Sequence, residues 1–112
     1  MADVLNWVPV CSVDTLDVGD VKAVKAGGRS LAIFRAAEDE FYATDDICSH
    51  GYAHLSQGFF EDCIVECPLH GGQFDVRTGK GLCSPIEKDI DIFQIAVEEG
   101  VIKVAIPVET IA

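Results

Sequence analysis

Ile90-Asp91-Ile92-Phe93-Gln94-Ile95-Ala96-Val97-Glu98-Glu99-Gly100-Val101-Ile102-Lys103-Val104-Ala105-Ile106 reads as two apolar runs joined by a polar turn. Over Ile90 to Val97 the apolar residues alternate, first at Ile90 and Ile92, then at Phe93, Ile95 and Val97. Period two is the strand period, and Glu98-Glu99-Gly100 supplies the turn of a hairpin that continues through Val101 to Ile106. The same rhythm extends towards the N-terminus. Val21 to Lys25 alternates between Gly19-Asp20 and Gly27-Gly28, and Ser30 to Phe34, Glu40 to Thr44, Asp62 to Glu66 and Gln73 to Val76 are further short runs. No stretch holds a helical period over eleven residues; at most a helical turn fits near Ser12 to Leu16. There is no internal repeat. The expectation is an all-β protein, a small antiparallel sandwich or barrel.

At 112 residues the chain is one domain's worth. It holds no run of about 18 apolar residues. Its first residues, Met1-Ala2-Asp3-Val4-Leu5-Asn6, have neither a basic n-region nor an apolar h-region, so neither a signal peptide nor a membrane segment is expected, and the cytoplasm is the expected location. Asp plus Glu number 19 against 8 Lys plus Arg, a formal charge of −11. Such a chain repels nucleic acid and anionic membrane surfaces. Between Arg35 and Arg77 there is no Lys or Arg, and the acids Glu38, Asp39, Glu40, Asp45, Asp46, Glu61, Asp62, Glu66 and Asp75 all fall there. This is either a solvated acidic face or a docking surface for basic partners, with Asp45-Asp46 and Glu61-Asp62 as its candidate charges.

From Asp45 to His70 the strand rhythm breaks, and this segment holds all three histidines. It carries Cys48-Ser49-His50 and Cys67-Pro68-Leu69-His70, two Cys–His pairs on short loops. Free cysteines are often only small buried hydrophobes, but two such pairs point to a metal. Zinc accepts both donor types, yet one intervening residue in Cys48-Ser49-His50 is a cramped bite for two ligands on one ion. The spacing is natural if each loop gives its thiolate to one iron and its imidazole to another, as in a 2Fe–2S cluster with two cysteines on one iron and two histidines on the other. Five cysteines are an odd number for a disulfide scaffold; Cys11, Cys63 and Cys83 read as unligated thiols.

With these motifs the sequence closely resembles the Rieske family, whose C-x-H…C-x2-H-G pattern matches Cys48-Ser49-His50 and Cys67-Pro68-Leu69-His70-Gly71-Gly72-Gln73-Phe74-Asp75. The resemblance implies an antiparallel β-sandwich base domain with a two-loop cluster-binding subdomain. The expected division is a single domain over 1–112, with the base part about 1–44 and 77–112 and the cluster-binding part about 45–76. It implies one Rieske-type 2Fe–2S cluster held by Cys48, His50, Cys67 and His70. Gly51, Gly71 and Gly72 would let backbone N–H groups approach the sulfides, and Ser84-Pro85 resembles the family's covering loop. High-potential members carry a loop disulfide and two hydroxyls where this chain has Ala53, Leu69, Gly72 and Phe74. Fewer hydrogen bonds to cluster sulfur imply a potential near the low end of the Rieske range, on the order of −150 mV.

The branch most resembled is the soluble Rieske ferredoxin of bacterial aromatic-ring oxygenase systems. The implied role is a monomeric one-electron carrier, not an enzyme, between a flavin-dependent NAD(P)H ferredoxin reductase and a terminal oxygenase. An oxygenase needs a further iron on two histidines and a carboxylate, and beyond the two loops only His54 remains. No G-x-G-x-x-G fingerprint for flavin or nicotinamide is present. The alternative is a non-catalytic binding or redox-sensing module stabilised by zinc or 2Fe–2S. His54 is expected at the surface and Trp7 in the core of the base part.

Overall fold

The computed structural model describes residues 4–47, 53–68, 71–82 and 89–108. Ten strands occur in them: β1 (Val4–Ser12), β2 (Val21–Ala26), β3 (Arg29–Ala37), β4 (Glu40–Asp45), β5 (Phe59–Glu61), β6 (Ile64–Glu66), β7 (Gln73–Asp75), β8 (Ile92–Phe93), β9 (Ile95–Glu98) and β10 (Val101–Val108). Short 3-10 turns lie at Val13–Thr15 and Leu55–Gln57. The strands form three antiparallel sheets, ordered β1-β10-β9, β2-β3-β4-β8 and β5-β6-β7.

β3 explains why three sheets stack. Leu31, Ala32, Ile33 and Phe34 are consecutive and all fully buried, so both faces of the strand are covered. Leu31 and Ile33 point to one side, into a core with Leu16, Phe41, Ala43, Ile102, Val104 and Ile106. Ala32 and Phe34 point to the other, into a second core with Leu55, Val65, Cys67, Phe74, Val76 and Ile90. An unbroken apolar run is what a strand needs when neither face meets water. The first core joins the two larger sheets; the second seats the small β5-β6-β7 sheet against the opposite face.

Several sequence expectations change. The expected single strand from Ile90 to Val97 is two: Ile92–Phe93 pairs with β4, and Ile95–Glu98 pairs with β10. The adjacent apolar pair Ile92-Phe93 shifts the alternation by one residue, and there the chain passes from one sheet to another. Asp62 and Cys63, expected inside a strand, instead form the β5–β6 turn at φ 51° and 64°. β5 was hidden in the presumed loop. β1 was hidden by an irregular register between Pro9 and Cys11, which puts Val8, Val10 and Cys11 all against the first core. Trp7, expected in the core, is 44% exposed, because it lies on the opposite side of β1 from Val8.

The Phe34 ring packs at a tilt of 52° against that of Phe60, with centroids 4.9 Å apart, and ties the small sheet to the large one. Phe34→Ala is therefore expected to cost about 3–5 kcal/mol of stability. Urea unfolding measures it, and a loss under about 1 kcal/mol would mean that the ring does not bridge the sheets.

Candidate metal centre

The second Cys–His segment sits in the connection from β6 to β7. Strand pairing of Glu66 with Gln73 is followed by a Cys67 N–H donating to the Gly72 carbonyl at 2.7 Å, and the Gly71 N–H donates to the Cys67 carbonyl at 3.1 Å. Gly71 makes this turn at φ +72°, where a side chain would be strained. Cys67 is 2% exposed and belongs to the second core. The thiol is thus held at the base of a tight loop on an antiparallel pair. Pro68 is exposed beside it.

The first segment is approached in the same way. β4 ends at Asp45, and Ile47 pairs with His54 in an isolated antiparallel bridge, which brings together the chain on either side of residues 48–53. Cys48, His50, Gly51, Leu69, His70, Cys83, Ser84 and Pro85 lie outside the described residues. Of the four expected ligands, the structure therefore places Cys67 alone. What it brings together is the ground beneath both loops. Ala53 and Leu55, at the end of the first segment and just after it, share the second core with Cys67 and Phe74, which bracket the second.

These residues fit a 2Fe–2S group of the Rieske kind. Two thiols and two imidazoles are its donor set, and Cys67, a buried cysteine at a glycine-turned loop, would supply one thiolate with water largely excluded. When bound, the cluster supplies a one-electron couple. The chain's described contribution is a shared apolar base of Ala53, Leu55, Cys67 and Phe74, beside which the two motifs fall in sequence. Among the described residues, which include only Cys67 of the four expected ligands, no group of three or more His, Cys, Asp or Glu side chains is placed to hold a metal ion.

The described thiols outside the Cys–His motifs have separate surroundings. Cys11 packs on the first core. Cys63 lies 3.8 Å from the Glu40 carboxylate, and partial burial, then that carboxylate, push its thiol up from the ordinary value. Burial and Glu40 push the Tyr42 phenol up likewise. Asp75 is held below the usual carboxylate range by hydrogen bonds from the Arg77 guanidinium at 2.9 and 3.0 Å.

Two expected docking charges are corrected. Asp46 is only 2% exposed, with its carboxylate on the Ser56 N–H and on His54 Nδ1, each at 2.8 Å. Asp45 is gripped by Arg29 at 3.2 Å, and Arg29 also reaches Asp91 at 3.4 Å. Neither acid is a free surface charge. His54 is at the surface as expected, 46% exposed, yet one ring nitrogen is committed to Asp46. Asp46 had no distinguishing sign in the sequence beyond standing two residues before Cys48. Glu61 and Asp62 are exposed, and Phe59 beside them is 79% exposed.

Two Cys–His motifs in a chain of stacked antiparallel sheets define a class, and comparison agrees. The sequence matches the Rieske [2Fe-2S] domain over residues 6–94, and the chain belongs to that family. It is similar to the ferredoxin component of the naphthalene 1,2-dioxygenase/salicylate 5-hydroxylase systems of Ralstonia sp, at 46% identity over 93 residues, 83% of this chain and 88% of that one. It is 40% identical to the anthranilate 1,2-dioxygenase ferredoxin subunit of Burkholderia cepacia over 103 residues, 92% of this chain and 94% of that one. A solved complex of reduced oxygenase and oxidized ferredoxin in carbazole 1,9a-dioxygenase contains a chain that matches with a TM-score of 0.82 at 40% identity, covering 88% of this chain and 92% of that one. The cofactor is accordingly a Rieske-type 2Fe–2S cluster, and the chain is an electron-transfer ferredoxin, not a catalytic oxygenase. Among the described residues no helix is long and apolar enough to cross a membrane.

If Cys67 is a ligand and Cys11 and Cys63 are not, Cys67→Ala is expected to yield protein without iron or visible colour. Cys11→Ser and Cys63→Ser are expected to keep both. Iron analysis and the visible spectrum of the three variants check this; colour retained in Cys67→Ala would remove it from the ligand set.

Proposed function

We propose that this chain passes single electrons from a flavin-dependent NAD(P)H reductase to the terminal oxygenase of a multicomponent aromatic-ring dioxygenase. Its ligands in this reading are Cys48, His50, Cys67 and His70, the thiolates on one iron and the imidazoles on the other. The cluster-binding part is about 45–76 and the base about 1–44 and 77–112. The carrier is monomeric and cytoplasmic. The observation that carries the reading is the use of the histidines. The chain has three; two belong to the ligand motif, and the third, His54, is bonded to Asp46 at 2.8 Å. No pair of imidazoles is left over for the mononuclear iron that oxygen chemistry would need. The near full-length similarity to ferredoxin components of dioxygenase systems supports the same partners.

The test is direct. Purified protein is expected to be red-brown and, once reduced, to give an EPR signal with mean g below the free-electron value. It is also expected to restore turnover when added to a matched reductase and oxygenase. A colourless, EPR-silent zinc protein would instead support the non-redox binding module.

The exposed acids supply the partner surface in this reading. Glu61 and Asp62 stand free beside the exposed Phe59, an apolar contact with an acidic rim suited to a basic partner. The Debye length falls from about 10 Å at 0.1 M salt to about 3 Å at 1 M. Reduction by the reductase is therefore expected to slow as salt rises. Glu61→Gln with Asp62→Asn is expected to slow it at low salt while leaving the midpoint potential nearly unmoved. Stopped-flow reduction across a salt series checks both; a salt-independent rate would reduce these acids to a solubility role.

The potential follows from hydrogen-bond donors near the cluster. Gly72 and Phe74 are buried where high-potential relatives carry hydroxyls. Gly72→Ser and Phe74→Tyr are each expected to raise the midpoint. A gain of roughly 1 kcal/mol on reduction is roughly 40 mV for a one-electron couple. Protein-film voltammetry on the single variants measures it, and an unmoved midpoint in both with the cluster intact would show that these hydroxyls do not set the potential.

A further inference from the structure

Asp46 is a buried acid whose backbone and side chain are both bonded across the fold. Its N–H donates to the Ser30 carbonyl of β3 at 3.0 Å, and its own carbonyl accepts from the Leu55 N–H at 2.7 Å. One carboxylate oxygen accepts from the Ser56 N–H, and the other meets His54 Nδ1, both at 2.8 Å. One buried residue thus ties three consecutive positions after the loop, His54, Leu55 and Ser56, to a point just before it, and anchors all of them to β3. The Ile47–His54 bridge lies between these ties.

We propose that Asp46 and His54 form a brace that positions the first ligand loop, residues 48–53, so that Cys48 and His50 are held ready for the cluster. This rests on the proposed ligand set. The physical ground is preorganisation. A loop of six residues fixed at both ends has fewer conformations to lose on binding metal than one with a free end. Buried hydrogen-bond partners of a ligand-bearing segment act on metal affinity without touching the metal. A carboxylate is suited to the task, because it accepts from a backbone N–H and an imidazole at once, where a hydroxyl would reach only one. Were Asp46 merely a cap for the Leu55–Gln57 turn, its loss would lower stability and leave the cluster's own properties alone.

The test uses the holoprotein and three variants, Asp46→Ala, Asp46→Asn and His54→Ala. Two readouts are the rate at which a strong iron chelator bleaches the visible spectrum and the spread of g values in the reduced EPR spectrum. Circular dichroism confirms that each variant is folded. Asp46→Ala is expected to lose its cluster about 10-fold faster or more, with altered g values. Asp46→Asn keeps an oxygen for the Ser56 N–H and an amide for His54, and is expected to stay near the wild-type rate and spectrum. His54→Ala removes one arm from a half-exposed position, so it folds, and it is expected to fall between. A folded Asp46→Ala with wild-type rate and spectrum overturns the brace. Should Asp46→Ala fail to fold, His54→Ala decides: faster loss supports the brace, and an unchanged rate overturns it. A wild-type protein that holds no 2Fe–2S cluster overturns the proposed function instead, a result distinct from any difference among variants.

Discussion

The two-sided burial of β3 is the constraint from which the rest of the molecule follows. Leu31 and Ile33 on one face require a covering sheet, which the β1-β10-β9 sheet supplies. Ala32 and Phe34 on the other require a second cover, which is the small sheet bearing Cys67 together with Leu55 from beside the first loop. The metal-binding region is therefore no appendage. It closes a core that would otherwise face water, and its position is set by apolar contact before any metal ligand is considered.

Much of this was readable in advance, for physical reasons that differ by segment. The β9–β10 hairpin was legible because its alternation is clean and Glu99-Gly100 sits at positive φ, as the turn composition implies. The family and its cluster were legible because thiolate and imidazole pairs at such spacings serve few other ends. What stayed hidden was parity and partnership. The register irregularity in β1 and the sheet change at Gln94 each offset the alternation by a residue, which a window scan reads as noise. Phe59–Glu61 is too short for any period to show.

Among the site residues the contrast is sharper. Cys67 carries its chemistry in its identity. Asp46 carries its role only in its contacts, since an aspartate two residues from a cysteine is unremarkable until Ser56 and His54 are seen to converge on it. A run of acids in sequence gave one sign of charge but not its disposition. In space, Asp45 faces Arg29, Asp75 faces Arg77, Glu38 faces Arg35, and Asp46 is buried, so four of the nine acids between Arg35 and Arg77 are paired or out of contact with water.

The Asp62-Cys63 turn has a consequence for anyone adapting this carrier. Both residues occupy left-handed backbone that β-hairpins ordinarily assign to Asn, Asp or Gly. Cys63 bears that strain while its carbonyl accepts from the Val76 N–H at 3.0 Å, pinning the hairpin to the strand end that follows β7. The conformation is enforced by its surroundings and not chosen by the residue. The turn is thus a reserve of stability left unused, remote in sequence from Cys48 and His50, where a robust variant for immobilised or high-temperature redox work could be built without altering the ligand loops.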